Sequence, residues 1–210
     1  MAITYPLSLP TTVGMSSITF SAENAVAISE SPFSYSQQVI RNTGQRWKAT
    51  CTLAPMKRQD AEEWVAFLLS LKGQYGYFLL GDPNCPAARG SASTTPGTPV
   101  VNGAGQIGET LNIDGLPINT TGYLLPGDYI QLGSGATATL HKVLTQVNSN
   151  ASGEASLDLW PKIRTARADN ATVTVANCKG NFRLSENVQQ WEINNISSYG
   201  ITFDCVELIS

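Results

Sequence analysis

The clearest alternation of apolar and polar residues in this chain lies between residues 47 and 83. From Trp47 to Leu53 the two kinds of side chain alternate with a period of two, which is typical of a strand buried on one face. Pro55 favours the end of that strand, because proline cannot donate a ladder hydrogen bond. The pattern therefore predicts a strand followed by a change of period.

A helix is predicted over residues 58–72, directly after this strand. Apolar side chains recur there at helical spacing, acidic residues occupy the first turn, and Gly73 follows the last turn, where a left-handed residue commonly ends a helix. A second strand is predicted over residues 75–80, before a Gly-Asp-Pro turn. Burial of each large side chain should contribute about 2 kcal/mol. The predicted core of this helix–sheet unit consists of Trp47, Trp64, Leu68, Leu71, Tyr77 and Phe78.

The first 46 residues contain only short apolar stretches. Residues 36–40 are expected to pair with the strand at 47–53 across a turn at residues 42–44, which read Asn-Thr-Gly. The segment up to about residue 31 has few apolar positions to hold it on its own fold. It could lie on its own sheet or act as an arm on another subunit, and the sequence leaves both open.

A second module is predicted after the Gly-Asp-Pro turn. Residues 84–99 are rich in Pro, Ala, Gly, Ser and Thr and are expected to form a long loop. Turn sequences, including Trp160-Pro161, then punctuate a run of short strands, a spacing typical of a small β-barrel or sandwich. The module is expected at residues 90–178. Its strands are predicted at residues 110–113, 129–132, 136–147, 156–159 and 172–175.

The end of the chain returns to long alternation. Apolar side chains alternate from Tyr199 to Cys205, which predicts a terminal strand that joins the sheet of the first module. The chain is therefore predicted to be mainly β, with one α-helix and an inserted β domain. The first domain, a β-sandwich, is expected to combine residues 1–85 and 179–210.

The composition of the chain excludes some classes of function. Charged residues make up 14% of the chain, against a usual share of about a quarter. The net charge of −3 and the lack of basic runs argue against nucleic-acid binding. No apolar run is long enough to span a membrane, and the first residues lack the pattern of a secretion signal. Four widely spaced cysteines favour free buried thiols over disulfides.

No residue pattern predicts a reaction centre. Residues 103–108 read GAGQIG and match the letters of a dinucleotide fingerprint, but the sequence that follows predicts a strand, whereas that site requires a helix. His141 is the single histidine, so neither a catalytic triad nor a histidine-rich metal site is expected. We predict no catalytic residue, cofactor or metal ligand, and no enzyme activity.

Two aromatic residues of the second module, Tyr123 and Trp160, are candidates for contact with a glycan or another subunit. Aromatic rings in β modules can stack on sugars, and their polar edges can hydrogen-bond. Trp160 precedes Pro161, however, and packing at the end of a barrel explains it equally well.

Residues 64–83, WVAFLLSLKGQYGYFLLGDP, resemble a pattern of minor tail proteins from long-tailed bacteriophages. In that pattern an acidic helix ends at a glycine turn and leads into an aromatic strand closed by Gly-Asp-Pro. Residues 125–133, LPGDYIQLG, and residues 199–207, YGITFDCVE, resemble its later parts. The nearest role is that of a distal tail protein. The resemblance implies a β-sandwich belt domain with a helix and an inserted β domain similar to galectin or oligonucleotide-binding folds.

The resemblance also implies a viral structural role at the phage baseplate. Distal tail proteins form a homohexameric ring at the tail tip that joins tail-tube and baseplate hub proteins during virion assembly in the cytoplasm of the bacterial host. The alternative from the residues is a carbohydrate-binding β module that contacts host-surface glycans. Size in solution separates the two hypotheses, because a ring is expected for one and a monomer for the other.

Overall fold

The computed structural model describes residues 3–193 and 198–209. Within them the chain is mainly β and contains one α-helix, α1 (Arg58–Ser70), which confirms the predicted fold class. The strands are β1 (Met15–Glu30), β2 (Gln37–Leu53), β3 (Met56–Lys57), β4 (Phe78–Leu80), β5 (Val100–Val101), β6 (Gly108–Asp114), β7 (Tyr129–Leu132), β8 (Thr139–Val143), β9 (Ala155–Ile163), β10 (Val173–Thr174), β11 (Gly180–Leu184), β12 (Trp191–Ile193) and β13 (Ser198–Glu207).

The first sheet has the order β1-β2-β13-β11-β4, with β3 and β12 pairing with β13 to one side. The C-terminal strand β13 lies in its centre, antiparallel to both β2 and β11. Its buried and exposed residues alternate along its whole length, as the sequence predicts. A central strand from the far end of the chain ties the two outer segments into one sheet.

Helix α1 covers the inner face of this sheet. Trp64 packs against Phe203 of β13 with 6.2 Å between ring centroids, and Phe67 packs edge-on to Phe78 at 5.5 Å. Asp60 lies in the first turn, and Gly73 follows the helix with a φ of 66°. Leu68 and Leu71 are buried in the same core. Tyr77 is a correction: it precedes β4 and is only half-buried, beside Tyr5.

The second sheet has the order β10-β7-β8-β9-β6-β5 and is nearly closed into a barrel. Its two edges approach each other, because Val101 donates a backbone hydrogen bond to Ala171 and Val173 donates one to Pro99. Trp160-Pro161 lies inside β9, where the sequence predicts a separator. The interior of the barrel forms a second core, separate from the one under α1.

The predicted turn at residues 42–44 is wrong. Strand β2 continues through these residues without reversing, and with β1 it forms one long hairpin. Asn24 pairs with Gln45 and Val26 pairs with Arg41, so residues 42–44 form a bulge opposite Ala25. Gly44 permits this close pairing, since a Cβ there would lie 3.0 Å from the Cβ of Ala25. The reversal comes at residues 31–36, where Ser31 donates a backbone hydrogen bond to Ser36.

The N-terminal segment lies on its own fold. The Tyr5 hydroxyl donates to the Ser70 carbonyl. The backbone N–H of Leu7 donates to the Tyr77 carbonyl, and the Leu7 carbonyl accepts from the N–H of Leu79 in β4. Residues 15–30 form the edge strand β1, whose beginning packs on the core. The sequence left open whether this segment lies on its own fold or on another subunit, and residues 5–20 lie on their own fold.

Candidate functional site

The outer half of the β1–β2 hairpin projects beyond the body of the protein. Pairing between β2 and β13 ends at Lys48, so the outer part of the hairpin has only its own two strands to pair with. From residue 24 to residue 44 nearly every residue is exposed. Beyond the ion pair of Arg41 with Glu109, the four residue steps from Arg41 to Gln37 span roughly 13 Å at about 3.3 Å per residue.

Apolar side chains line both faces of this projecting segment. Ile28 lies opposite Val39, and Ala27 lies opposite Ile40, one residue along and therefore on the other face. Ile28 is 63% exposed and Ile40 is 55% exposed. A two-stranded ribbon cannot bury both of its own faces, and an isolated hairpin is marginally stable in water. The segment therefore has the composition of a surface that another protein covers.

The tip of the hairpin, which we define as residues 31–36, presents two aromatic rings. Phe33 is 96% exposed and Tyr35 is 75% exposed. The turn is held by Tyr35, which donates its backbone N–H to the Ser31 carbonyl and has a φ of 55°. The rest of the tip is serine and proline, so the tip carries no charge. An uncharged tip with exposed aromatic rings is suited to insertion into an apolar site.

The barrel supports the base of the hairpin. Trp160 donates its indole N–H to Asn24 at 2.8 Å, and the backbone N–H of Lys162 bonds to the Gln45 amide oxygen at 2.8 Å. Farther out, Arg41 forms an ion pair with Glu109. These contacts reach both strands of the hairpin. They fix the direction in which the outer half projects.

Trp47 joins the two modules beneath this base. Its indole N–H donates to the Leu140 carbonyl at 3.0 Å, and its ring packs edge-on to Trp160 with 4.4 Å between centroids. Its backbone N–H donates to Glu207, which also accepts from Arg164 at 2.8 Å. The core of the first sheet thus includes Tyr129 and Leu140 from the barrel. Independent folding of residues 90–178 stays a prediction.

The two candidate contact residues of the barrel do not form a sugar platform. Tyr123 is fully buried, its hydroxyl donates to the Pro96 carbonyl at 2.6 Å, and burial raises its pKa to about 12. Trp160 is half-buried. Its ring packs edge-on against Trp47, and its indole N–H donates a hydrogen bond to Asn24. The prediction that Tyr123 contacts a glycan is therefore wrong. Trp160 contacts the hairpin of its own chain.

His141 is a buried structural residue. Its Nδ1 lies 2.7 Å from the Pro161 carbonyl, and its Nε2 lies 2.9 Å from the Thr139 hydroxyl. Burial lowers its pKa to about 4, and the nearby Arg164 and Arg167 act in the same direction. The imidazole is therefore neutral at pH 7, and its two ring nitrogens are engaged by this strand and its neighbour.

The remaining chemical motifs fall in structural positions. Gly103, Gly105 and Gly108 all have positive φ; the first two lie in the turn before strand β6, and Gly108 is its first residue. The four cysteines are free, and burial raises the pKa of Cys178 to about 12. Among the described residues, no group of His, Cys, Asp and Glu is arranged to hold a metal ion.

The sequence did not identify the projecting hairpin, although a signal was present. Residues 25–28 read AVAI and residues 39–40 read VI. Both runs are short and have polar residues on each side, so neither predicts a buried strand. Continuous apolar pairs on a strand place side chains on both faces. Such pairs next to an uncharged serine-rich turn could have indicated a two-sided ribbon.

In the described parts of the chain, no helix combines the length and apolar character that crossing a membrane requires. Comparison of the chain with protein-family models gives no match, and comparison with curated protein sequences gives none either.

Proposed function

We propose that this protein is a non-enzymatic structural component of a bacteriophage tail tip, a distal tail protein that forms a homohexameric ring. The ring would join tail-tube proteins to the baseplate hub, and its location would be the virion. The observation that carries the proposal is the projecting hairpin with apolar side chains on both faces. The resemblance of residues 64–83 to minor tail proteins supports the viral setting.

The hairpin supports ring formation because it is a single projecting element. One copy offers the hairpin and the next copy offers a different surface, so the contact is head-to-tail, and such contacts close into rings when the rotation between copies allows it. A stable contact should bury more than about 1,000 Å² in total, a size that the exposed two-faced ribbon of residues 24–44 can supply. The ring is expected to involve residues 1–85 and 179–210.

The barrel module has a second role in this proposal. It braces the hairpin through Trp160, Lys162 and Glu109, and so it holds the projecting segment in one direction. Preorganisation of this kind lowers the entropy cost of association. The barrel would therefore determine the geometry of the ring even if it lies outside the ring contacts.

The carbohydrate-binding alternative has less support. Its aromatic candidates are engaged within the chain, since Tyr123 is buried and Trp160 contacts Asn24. Glycan binding therefore has no exposed aromatic platform at these two positions.

Light scattering and negative-stain images of the purified protein test the proposal. We expect a ring with six times the 22.4-kDa mass of one chain, or a shift toward that mass as the concentration rises. The protein should also co-assemble with tail-tube or hub protein. A protein that stays monomeric at high concentration and forms no ring with either partner would contradict the proposal.

A further inference from the structure

The outer half of the β1–β2 hairpin has two unpaired strand edges. Strand β1 is the last strand of the first sheet, and β2 loses its second partner where its pairing with β13 ends at Lys48. Within the described residues, the backbone of residues 26–30 and 37–41 makes no backbone hydrogen bond apart from the pairing of these two strands with each other. Each edge therefore offers a row of donors and acceptors to another strand.

The register shows which residues present these backbone groups. Ser31 donates its backbone N–H to the Ser36 carbonyl, so these two residues form a hydrogen-bonded pair at the end of the ladder. In an antiparallel ladder such pairs alternate with pairs whose N–H and C=O groups point outward. The outward-pointing positions are therefore residues 26, 28 and 30 of β1 and residues 37, 39 and 41 of β2. Their side chains all lie on one face of the ribbon, because these residues are paired directly and recur every second position.

Other strand edges in the described parts of the chain are short or covered. At the far end of the first sheet, the N-terminal segment covers β4 through Leu7. The barrel brings its own two edge strands together. The strands β3 and β12 have only two and three residues. An edge that matches one side of the hairpin in length is therefore found on the other side of the hairpin.

The charges on the two strands identify the partner of each edge. Strand β1 carries Glu23 and Glu30 and no basic residue, whereas β2 carries Arg41, Arg46 and Lys48 and no acidic residue. Pairing of β1 with β1 of a second copy would place glutamates together, and pairing of β2 with β2 would place basic residues together. Like charges on adjacent strands destabilise a sheet, whereas opposite charges stabilise it. The β1 edge of one copy therefore complements the β2 edge of another.

Glu30 and Arg41 are the charged residues that this contact brings together. Glu30 forms no ion pair with the described residues, and Arg41 pairs only with Glu109, so that its guanidinium keeps free donors. Within one chain Glu30 lies opposite Gln37, which is four residue steps or about 13 Å from Arg41. A stagger of about two to four residues between copies, of the kind that closed sheets require, places Glu30 of one copy diagonal to or opposite Arg41 of the next.

We infer that the free edge of β2 in one copy pairs in antiparallel fashion with the free edge of β1 in the next copy, with Glu30 against Arg41. The inference rests on the proposed ring and names the two surfaces that meet in it. The two edges are different surfaces, so the contact is head-to-tail, and every copy in a closed ring uses each edge once. Ile28 and Val39 lie on the same face as the ion pair, so the contact also brings their apolar side chains together.

Charge reversal on the two strands tests the contact. Glu30→Lys and Arg41→Glu should each raise the protein concentration needed for half-assembly about tenfold, because each places like charges together. An equal mixture of the two variants should recover assembly, because every contact in an alternating ring then joins opposite charges. Arg41→Glu also loses its pair with Glu109, but this loss persists in the mixture and cannot explain a recovery. Glu62→Lys, the same change of charge at an exposed position of α1, should leave assembly unchanged.

Disulfide trapping gives a second readout. One chain carries Ile28→Cys and another carries Val39→Cys, and both carry Cys85→Ser, because Cys85 is partly exposed and the other three native cysteines are buried. Equal amounts are mixed, oxidised with oxidised glutathione and separated without reductant. We expect the mixture to give several-fold more covalent dimer than either variant alone.

The outcomes separate this inference from the ring proposal. If wild type forms rings but the mixed charge variants do not recover assembly, or the mixed cysteine variants give no excess of dimer, the pairing of these edges is overturned and the ring proposal stands. More dimer from Ile28→Cys alone than from the mixture would indicate a two-fold contact of β1 with β1 and would also overturn the inference. A wild-type protein that forms no ring, with no trapped dimer from the mixture, would overturn both.

Discussion

The base and the outer half of the β1–β2 hairpin are built from the same two strands, yet they have opposite surroundings. In the base, residues 45–53 of β2 alternate between buried and more exposed positions, and the buried set includes Trp47 and Cys51. In the outer half the alternation disappears, and Val39 and Ile40 are both exposed. The base has a helix and a barrel to pack against, whereas the outer half has neither.

The difference shows that the neighbours of a strand decide whether its apolar residues form a core. β-propensity measures how well a side chain fits a half-buried pleated surface, and the outer hairpin supplies such a surface without a cover. Native proteins usually protect such strands with charge, bulges or partners. Here β2 has a bulge at residues 42–44 and an ion pair at Arg41, both at the inner end of the outer half, so a partner protein is the remaining means of cover for the residues beyond them.

A substitution in the base of the β1–β2 hairpin should have the largest effect on the stability of the protein. Trp47→Ala removes a buried ring and its bond to Leu140, and leaves a cavity between the two modules. We expect it to lower the free energy of unfolding by about 3–5 kcal/mol, as large core truncations do. Urea denaturation monitored by circular dichroism measures this. A loss below about 1 kcal/mol, within the range of surface substitutions, would contradict the packing described for the base.

Acidification should weaken the same region through His141. Its pKa is about 4 in the folded protein, below the ordinary 6.5, so the unfolded chain binds more protons between these values. Stability is therefore complete above pH 6.5 and falls as the pH drops toward 4. The expected loss at the lower end is on the order of 3 kcal/mol. Melts between pH 7 and pH 4 measure it.

A His141→Gln variant is the control for the acid effect. Glutamine retains a donor and an acceptor but does not titrate in this range, so its stability should change less between pH 6.5 and 4.5. Glu23, whose pKa is lowered by its hydrogen bonds to Arg46 and Lys48, would lose its contribution only below its ordinary value of 4.5. If wild type and His141→Gln respond equally above pH 4.5, the loss comes from other groups.

A smaller effect is expected where the barrel braces the hairpin. Trp160→Phe keeps an aromatic ring against Trp47 but removes the hydrogen bond to Asn24. The expected loss is about 0.5–1.5 kcal/mol, the usual net contribution of one hydrogen bond. Thermal unfolding measures it, and Asn24→Ala should give a loss of similar size. In a double variant the two losses should not add, because both variants remove the same hydrogen bond. Additive losses would show that the two side chains do not interact.

The outer half should show the smallest effect on the folded monomer. Ile28→Ser and Val39→Ser change exposed side chains, so each should alter the free energy of unfolding by less than about 0.5 kcal/mol under conditions that keep the protein monomeric. Denaturation at low protein concentration measures this. A loss of more than about 1 kcal/mol would mean that the outer half is already packed within its own chain.

The sequence predicted the elements whose partners are close or whose pattern is regular. The alternation around Trp47, the helical stripe with Trp64 and the terminal strand ending at Glu207 each indicate one buried face, and the structure has all three. The long hairpin was not predicted, because the Asn-Thr-Gly sequence of residues 42–44 is a strong local turn signal. In the fold this sequence forms a bulge in β2, and pairing with β1 resumes beyond it.

The candidate contacts of the barrel were mispredicted for a related reason. Tyr123 and Trp160 both have a polar edge, and sequence alone does not show whether that edge meets solvent or a carbonyl of the same chain. In the fold Tyr123 reaches Pro96, and Trp160 reaches Asn24, which is 136 residues away along the chain. Contacts of such separation leave no periodic signal in the sequence.

The central claim is that the outer hairpin is the element through which copies of this protein assemble. Light scattering of a chain in which residues 27–40 are replaced by a two-residue Asn-Gly turn tests it most directly. The shortened chain should fold and unfold cooperatively like wild type but remain at the mass of one chain at concentrations where wild type forms a ring. A shortened chain that still assembles to the wild-type mass would contradict the claim.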